Sequence, residues 1–355
     1  MKNAVIRFLL FAVFIIATFS TCVDPFTVVT NDHVRKLVVD GGIVNAPGSY
    51  TIKLYYSEPY NDKNTVPVVN IAKVYVVDDL NNRYDFDFVE RGTYRSDPLK
   101  FEAQAGRTYT LHISLPEGTQ YVSRPQLLKE APPIDTVYAQ FVQQSDSRGI
   151  VSEFFNVFTE MKDSVSKGDF YRWSWAHYDT LTYCLFGSIP SDAGNIFTQS
   201  LCCEPCWEIE RCRSCINIAN DFFTNGNTIR QRITNIPFDS EDDYFVVVEQ
   251  YRISEEEYRF WQIADGQINN AGGIFDNPPA TIPGNVYNPG NPEEQVLGFF
   301  SVAGLRYKSA YLNRNVAESN PKIISVSPPR ITTSFCDPCS ESTLRTKIEP
   351  PGWRR

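Results

Sequence analysis

The sequence predicts a mainly β protein made of two β-sandwich-like domains, the second carrying one short helix and a cysteine-rich insertion. Aromatic residues make up 14% of the chain, with 19 Tyr and 24 Phe, and 23 Pro and 19 Gly punctuate it into short segments. That mix suits many short pleated strands better than long helices. Short runs alternate apolar and polar side chains with a period of two, and a single segment has a helical period together with a helix-start signal.

In chain order, residues 1–21 read as a secretory signal: Lys2 and Arg7 precede the apolar run Phe8 to Phe19, and no acidic residue interrupts it. The run of about 12 residues falls short of the roughly 20 that a membrane-spanning helix needs. Phe19-Ser-Thr-Cys22 resembles a bacterial lipobox, which makes Cys22 the expected lipid-attachment site. Several acyl chains hold a protein stably where one binds only marginally. The alternative is an ordinary secreted protein in which Cys22 pairs with another thiol. Residues 22–35 are polar and irregular, as a tether would be.

The first domain is expected over 36–130. Leu37 to Val39 opens it, and Pro47-Gly48 turns the chain into Tyr50 to Tyr56, where Tyr50, Ile52, Leu54 and Tyr56 share one face. Ala72 to Val77 and Arg83 to Val89 flank Asn81-Asn82, a pair suited to positive φ in a hairpin connection. Gly92 to Ser96, Arg107 to Leu115 and Gln120 to Arg124 complete about seven strands, the count of a sandwich. Pro132-Pro133 marks the boundary.

The second domain is expected over 134–345, with strands at Thr136 to Gln143, Ile150 to Thr159, Asp169 to Tyr178, Thr228 to Ile236 and Tyr244 to Ile253. The stretch 184–215 lacks an apolar pattern able to form its own core and reads as a stapled excursion. The helix is expected over 254–270, opened by the capping box Ser254-Glu-Glu-Glu257. Tyr258, Trp261, Asp265 and Ile268 follow at helical spacing, and Gly272-Gly273 ends it. The loop Asn277 to Pro292 is long enough to call for an ordering reason or mobility; within it, Gly284 and Asn285 fit a turn that needs positive φ. Late strands are expected at Leu297 to Ala303 and Lys322 to Val326.

Charge excludes one class of partner. The full chain carries −9, and removal of Lys2 and Arg7 with the signal takes it to −11. A nucleic-acid backbone is therefore not the expected partner.

The chain has nine cysteines. Setting Cys22 aside leaves Cys184, Cys202, Cys203, Cys206, Cys212, Cys215, Cys336 and Cys339, an even set that in an oxidising compartment reads as disulfides. Two alternatives stand beside that. Cys203-x-x-Cys206 with Cys212-x-x-Cys215 offers four thiolates to zinc, and Cys336-Asp-Pro-Cys339 has the spacing of a redox pair, though without the helix N-terminus that activates one.

Catalytic motifs are lacking. No nucleophile elbow, His-Glu-x-x-His, phosphate loop or dinucleotide fingerprint occurs, so no catalytic residue, metal or cofactor is assigned. His33, His112 and His177 read as structural. Glu255, Glu256, Glu257, Glu293 and Glu294 read as caps and solvated charges. Asp78-Asp79 and the run Asp239, Glu241, Asp242, Asp243 offer calcium ligands without the EF-hand pattern and read as solvated turns.

Several pieces together resemble a family of Bacteroidota outer-membrane lipoproteins known as a domain of unknown function, family 4249. They are Cys22 to Phe26, Lys36 to Gly41, Gly106 to Leu111, Phe170 to Trp173, Ile253 to Trp261, Ile274 to Pro279, Gly284 to Val286, Val296 to Phe300 and Cys336 to Cys339. The resemblance implies an outer-membrane place, an association with TonB-dependent receptors, and no known substrate. The first domain also resembles a transthyretin-like or carboxypeptidase-regulatory-like sandwich, which carries no function with it. The expected function is a non-enzymatic accessory component of the envelope that binds a ligand or protein, held to the membrane by its lipid. The alternatives are an envelope glycan or peptide hydrolase, whose carboxylate pair only folding assembles, and a purely structural envelope component.

Overall fold

A computed structural model describes residues 35–58, 66–191, 194–213, 215–269, 281–317, 319–321, 330–331 and 336–354. The signal, Cys22, the tether, His33, Gly272-Gly273 and the strand expected at Lys322 to Val326 lie outside the described residues, as does the first part of the loop from Asn277. No helix among the described residues is long and apolar enough to cross a membrane.

Among the described residues the protein is mainly β with one helix. The first strands are β1 (Leu37–Val44), β2 (Thr51–Tyr56), β3 (Lys73–Asp78), β4 (Arg83–Glu90), β5 (Thr93–Ser96), β6 (Thr108–Ser114), β7 (Gln120–Ser123) and β8 (Gln126–Leu127). Then come β9 (Thr136–Ser145), β10 (Val151–Lys162), β11 (Phe170–Thr180), β12 (Tyr183–Ser191), β13 (Gly194–Leu201), β14 (Trp207–Arg211) and β15 (Asn217–Asn220). The chain closes with β16 (Thr228–Pro237), β17 (Tyr244–Ile253), α1 (Glu255–Asn269), β18 (Val286–Tyr287), β19 (Leu297–Leu312), β20 (Arg330–Ile331) and β21 (Arg345–Thr346).

One sheet runs through both halves in the order β18-β7-β6-β3-β4-β5-β2-β1-β19-β17-β11-β14-β21. Its first part surrounds a core of Leu37, Val39, Ile52, Leu54, Val76, Tyr94, Tyr109 and Leu111. These are the inward positions of alternating strands, as period-two patterning requires. In the second half the small sheet β16-β10-β9 faces β11 and β17 across Phe155, Met161, Trp173, Trp175, Ile233, Val246 and Val248, a two-layer sandwich.

β19 joins the two cores. Its first half pairs parallel with β1 from Val38↔Leu297 to Val44↔Ala303, and its second half pairs antiparallel with β17 down to Tyr244↔Leu312. Phe300 and Val302 belong to the first core and Leu312 to the second, so the late chain completes a core that opens at Leu37. Glycine makes this crossing possible. Gly298 has φ +81, and a Cβ there would sit 2.0 Å from the Val39 carbonyl oxygen.

Gly284 and Asn285 work differently from the expectation. Gly284 is not among the positive-φ residues, whereas Asn81, in the β3–β4 hairpin, is, with φ 62. A Cβ on Gly284 would lie 2.0 Å from the Gly298 oxygen, so close backbone approach is what requires glycine. Asn285 is buried and imitates a strand partner: its Nδ2 donates to the Phe300 carbonyl at 2.8 Å and its Oδ1 accepts from the Phe300 N–H at 2.9 Å.

The cysteine-rich stretch is more regular than expected. β12 and β13 form a hairpin, and Cys184–Cys202 links its base with Cα atoms 4.8 Å apart. Cys203 pairs with Cys336 and Cys206 with Cys339, so two C-x-x-C segments lie side by side in parallel. Backbone bonds from Cys203 N–H to the Asp337 oxygen (3.0 Å) and from Asp337 N–H to the Leu201 oxygen (2.9 Å) hold the register. Cys212 sits beside Cys215. The four-thiolate zinc arrangement of Cys203, Cys206, Cys212 and Cys215 is therefore not formed.

Candidate functional site

A cleft of about 650 Å³ opens at the far end of the second core. Five separate parts of the chain build it. β11 contributes His177 to Thr180, β14 Glu210, the β16–β17 connection Pro237 to Asp243, β19 Tyr311, and the C-terminal segment Trp353. Its carboxylates are Asp179, Glu210, Asp239, Asp242 and Asp243.

Arg314, the cation lining this cleft, is committed to structure. Its Nε donates to the Asp242 carbonyl at 2.7 Å, and its Nη1 donates to the Pro237 carbonyl at 3.3 Å and to Asp239 Oδ1 at 2.7 Å. Arg314 thus pins the acidic connection in place and offsets one of its charges. The cleft keeps a net negative wall.

The floor is aromatic. His177 stacks on Tyr244 with centroids 3.7 Å apart, and its Nδ1 lies 2.7 Å from the Phe245 carbonyl. Trp353 packs edge-on against Phe245 at 4.9 Å and meets Tyr311 at 5.9 Å. Burial, followed by the Glu210 charge, pushes the Tyr244 phenol well above its ordinary range, with Arg314 opposing. Tyr244 therefore stays a neutral hydroxyl at working pH. Carboxylates around aromatic faces can hold a cation by charge and by its attraction to ring quadrupoles.

The sequence expectations meet this cleft in part. His177 is there in the packing role assigned to it. Asp239, Asp242 and Asp243 are there too, as a wall rather than a free turn, and they do not converge as metal ligands. Among the described residues, the cysteines Cys184, Cys202 and Cys206 alone gather at metal-binding distance, and all three are in disulfides. Asp179, Glu210, Tyr311, Arg314 and Trp353 carried no local signal, because only folding brings them together. Elsewhere, His112 stacks on Tyr75 at 4.9 Å with Arg83 over the far ring, and burial then the Arg83 charge push its pKa down. Asp78 accepts from the N–H groups of Leu80 and Asn82, the Asn82 amide and the Tyr84 hydroxyl, which makes it a hairpin organiser.

Four of the pieces behind the family resemblance, those beginning at Phe170, Ile253, Gly284 and Val296, meet at the junction of the two cores, away from the cleft. Ser254 Oγ accepts the Glu257 N–H at 3.1 Å, so the serine half of the capping box forms. Glu257 does not behave as a solvated charge or as the other half of the box. It is buried, accepts from Ser301 Oγ (2.7 Å) and Trp261 Nε1 (3.2 Å), and lies 3.6 Å from Arg172 Nε. Glu256 accepts from Gln126 and pairs with Arg124, and Glu294 accepts from Tyr121 and Asn288. A family model described as a domain of unknown function, DUF4249, matches residues 23–308. The chain belongs to that family. No curated protein matches it. Within this DUF4249 chain, Phe170 to Trp173, Ser254 to Glu257, Gly284-Asn285 and Val296 to Phe300 form a joint that locks helix, central strands and late loop together.

Proposed function

We propose that this DUF4249 protein is a non-enzymatic lipoprotein of the Bacteroidota outer membrane, anchored through Cys22, that captures a cationic ligand or protein segment for an envelope transport system of the TonB-dependent kind. The acidic, aromatic-floored cleft carries this reading. Its five carboxylates outnumber Arg314, which is already engaged, and its ring faces suit an alkylammonium or guanidinium group, as Arg354 at 4.9 Å over the Tyr311 ring illustrates. In this reading the transthyretin-like first domain acts as scaffold.

Two measurements test the reading. Wild type is expected to leave the membrane fraction only with detergent, and Cys22→Ser with high salt alone; a variant that salt cannot extract, or a wild type that it can, overturns the anchor. For the cleft, oligolysine and amino-sugar oligomers are titrated against intrinsic fluorescence. Trp353→Ala and the pair Asp239→Asn with Asp242→Asn are each expected to weaken binding about tenfold, roughly 1.4 kcal/mol. Equal binding by wild type and both variants removes the cleft from the proposal, and product release from the glycan would replace it with a hydrolase.

A further inference from the structure

Two loops at one edge of the second core are built in an unusual way. The first, Asp163 to Asp169, connects β10 to β11; the second, Asp221 to Asn227, connects β15 to β16. Three buried aspartates fix them. Asp163 accepts from the Tyr171 hydroxyl at 2.6 Å and from the Gly226 N–H at 3.2 Å. Asp221 accepts the Gly168 N–H with both oxygens, at 3.1 and 2.9 Å. Asp169 takes Ser164 Oγ at 2.6 Å, Ser166 Oγ at 2.8 Å and the Arg252 guanidinium. Backbone bonds from Asp221 N–H to the Asp169 oxygen (3.1 Å) and from Asp163 N–H to the Asn227 oxygen (2.9 Å) tie loop to loop.

This scaffold holds apolar side chains in water. Phe223 is 98% exposed, Val165 89% and Phe222 63%. Phe222 has one edge contact with Phe170 at 5.8 Å, and the Asn225 amide reaches the Val165 carbonyl at 3.5 Å, which keeps the tips side by side. The aspartate charges face inward, so the charges these loops and their flanks show to solvent are those of Lys162 and Lys167, both exposed. That is a cationic, apolar tip on a chain whose net charge is −9.

We propose that this double loop inserts Phe223, Phe222 and Val165 into the interfacial region of an anionic bilayer, with Lys162 and Lys167 meeting the headgroup charges. Three protruding side chains cover far less area than the ~800 Å² per partner of a stable protein interface. They do suit a bilayer, which accepts aromatic wedges without shape complementarity and attracts nearby lysines electrostatically. The rigid loops mean that insertion costs little ordering. The inference extends the membrane-anchored reading, and its test leaves the anchor out.

The mature chain carrying Cys22→Ser is mixed with phosphatidylcholine vesicles, with and without phosphatidylglycerol, and bound protein is measured by flotation. Binding is expected with phosphatidylglycerol only. Phe223→Ser is expected to lower the partition coefficient about tenfold and Lys167→Glu about fivefold. Both positions are exposed, and unchanged thermal melting verifies that the variants fold. In Phe223→Trp, brominated lipid is expected to quench the added fluorescence. Absence of binding to anionic vesicles, or binding indifferent to both variants, overturns the proposal. So does a lipid-free dimer that Phe223→Ser dissociates, which would assign the tip to a second copy. A failed anchor shows instead in cell fractionation, with vesicle binding unaffected.

Discussion

Asp169→Asn is expected to lower the unfolding free energy by about 3 kcal/mol at neutral pH, because it removes one partner of a buried charge pair and leaves the other. Asp169 is 1% exposed and receives Arg252 Nε at 3.1 Å, Ser164 and Ser166 hydroxyls, and Lys129 Nζ at 3.7 Å. Arg252 also reaches the Glu130 carbonyl at 3.0 Å, so it spans the chain between the two cores and cannot swing free without giving up that bond. Asparagine keeps the shape and loses the charge. The pH dependence follows from the same contacts. Burial alone would raise the Asp169 pKa, but the hydrogen bonds from Arg252, Ser164 and Ser166 and the Arg252 charge together hold it below its ordinary value. A folded-state pKa below the unfolded one adds stability above the unfolded value, about 3.9, and that stability is lost as pH falls through the folded value. Asp78 is held down in the same sense by Asn82, Leu80 and Tyr84 against the effect of burial. Urea unfolding at pH 7 should therefore separate wild type from Asp169→Asn clearly, and the gap should narrow towards pH 3. A gap that is constant with pH would mean that packing, not the charge, is what the substitution costs.

Much of the first core was legible in the sequence because its information is local. The alternation of Tyr50 to Tyr56 places Ile52 and Leu54 inward, and Asn81 takes the positive φ its hairpin needs. Ser254 starts the helix for a reason readable within four residues. What was not legible depends on partners far along the chain. Leu297 to Ala303 reads as a strand, but nothing local says that it pairs with Val38 to Val44 or continues to Leu312. Gly284 looks like a turn glycine until Gly298 is seen against it. Glu257 looks like a surface cap until Ser301 and Arg172 close over it. The cleft is the extreme case: its aromatic and acidic residues come from five places and have no shared spacing. The apolar tip was hidden for another reason. Phe222 and Phe223 belong to none of the strands expected from the sequence, and only the fold places them in water.

The two parallel staples are expected to behave as a unit. Cys203–Cys336 and Cys206–Cys339 each span 133 residues of sequence. Closing one such loop restricts the unfolded chain by about 5 kcal/mol in the chain-entropy account. Once either bridge exists, the other closes only the short ring made by the two C-x-x-C segments, which the same account values at about 2 kcal/mol. Replacing Cys203 and Cys336 together by serine should therefore cost about 2 kcal/mol, as should replacing Cys206 and Cys339. Removing all four should cost clearly more than the sum of about 4 kcal/mol, about 7 kcal/mol, because the long loop is then released together with the short ring. Hydrogen exchange at the Cys203 and Asp337 amides, which bond to Asp337 and Leu201 across the staple, reads the loss at its site. The Cys203–Cys336 bridge is exposed and Cys206–Cys339 is buried, so mild reductant should open the former first and reproduce the smaller effect without mutation. Strict additivity of the two pairs would refute a shared constraint and make each bridge a local clamp. Supra-additivity would establish that the late Cys336-Asp-Pro-Cys339 segment is what closes the second domain.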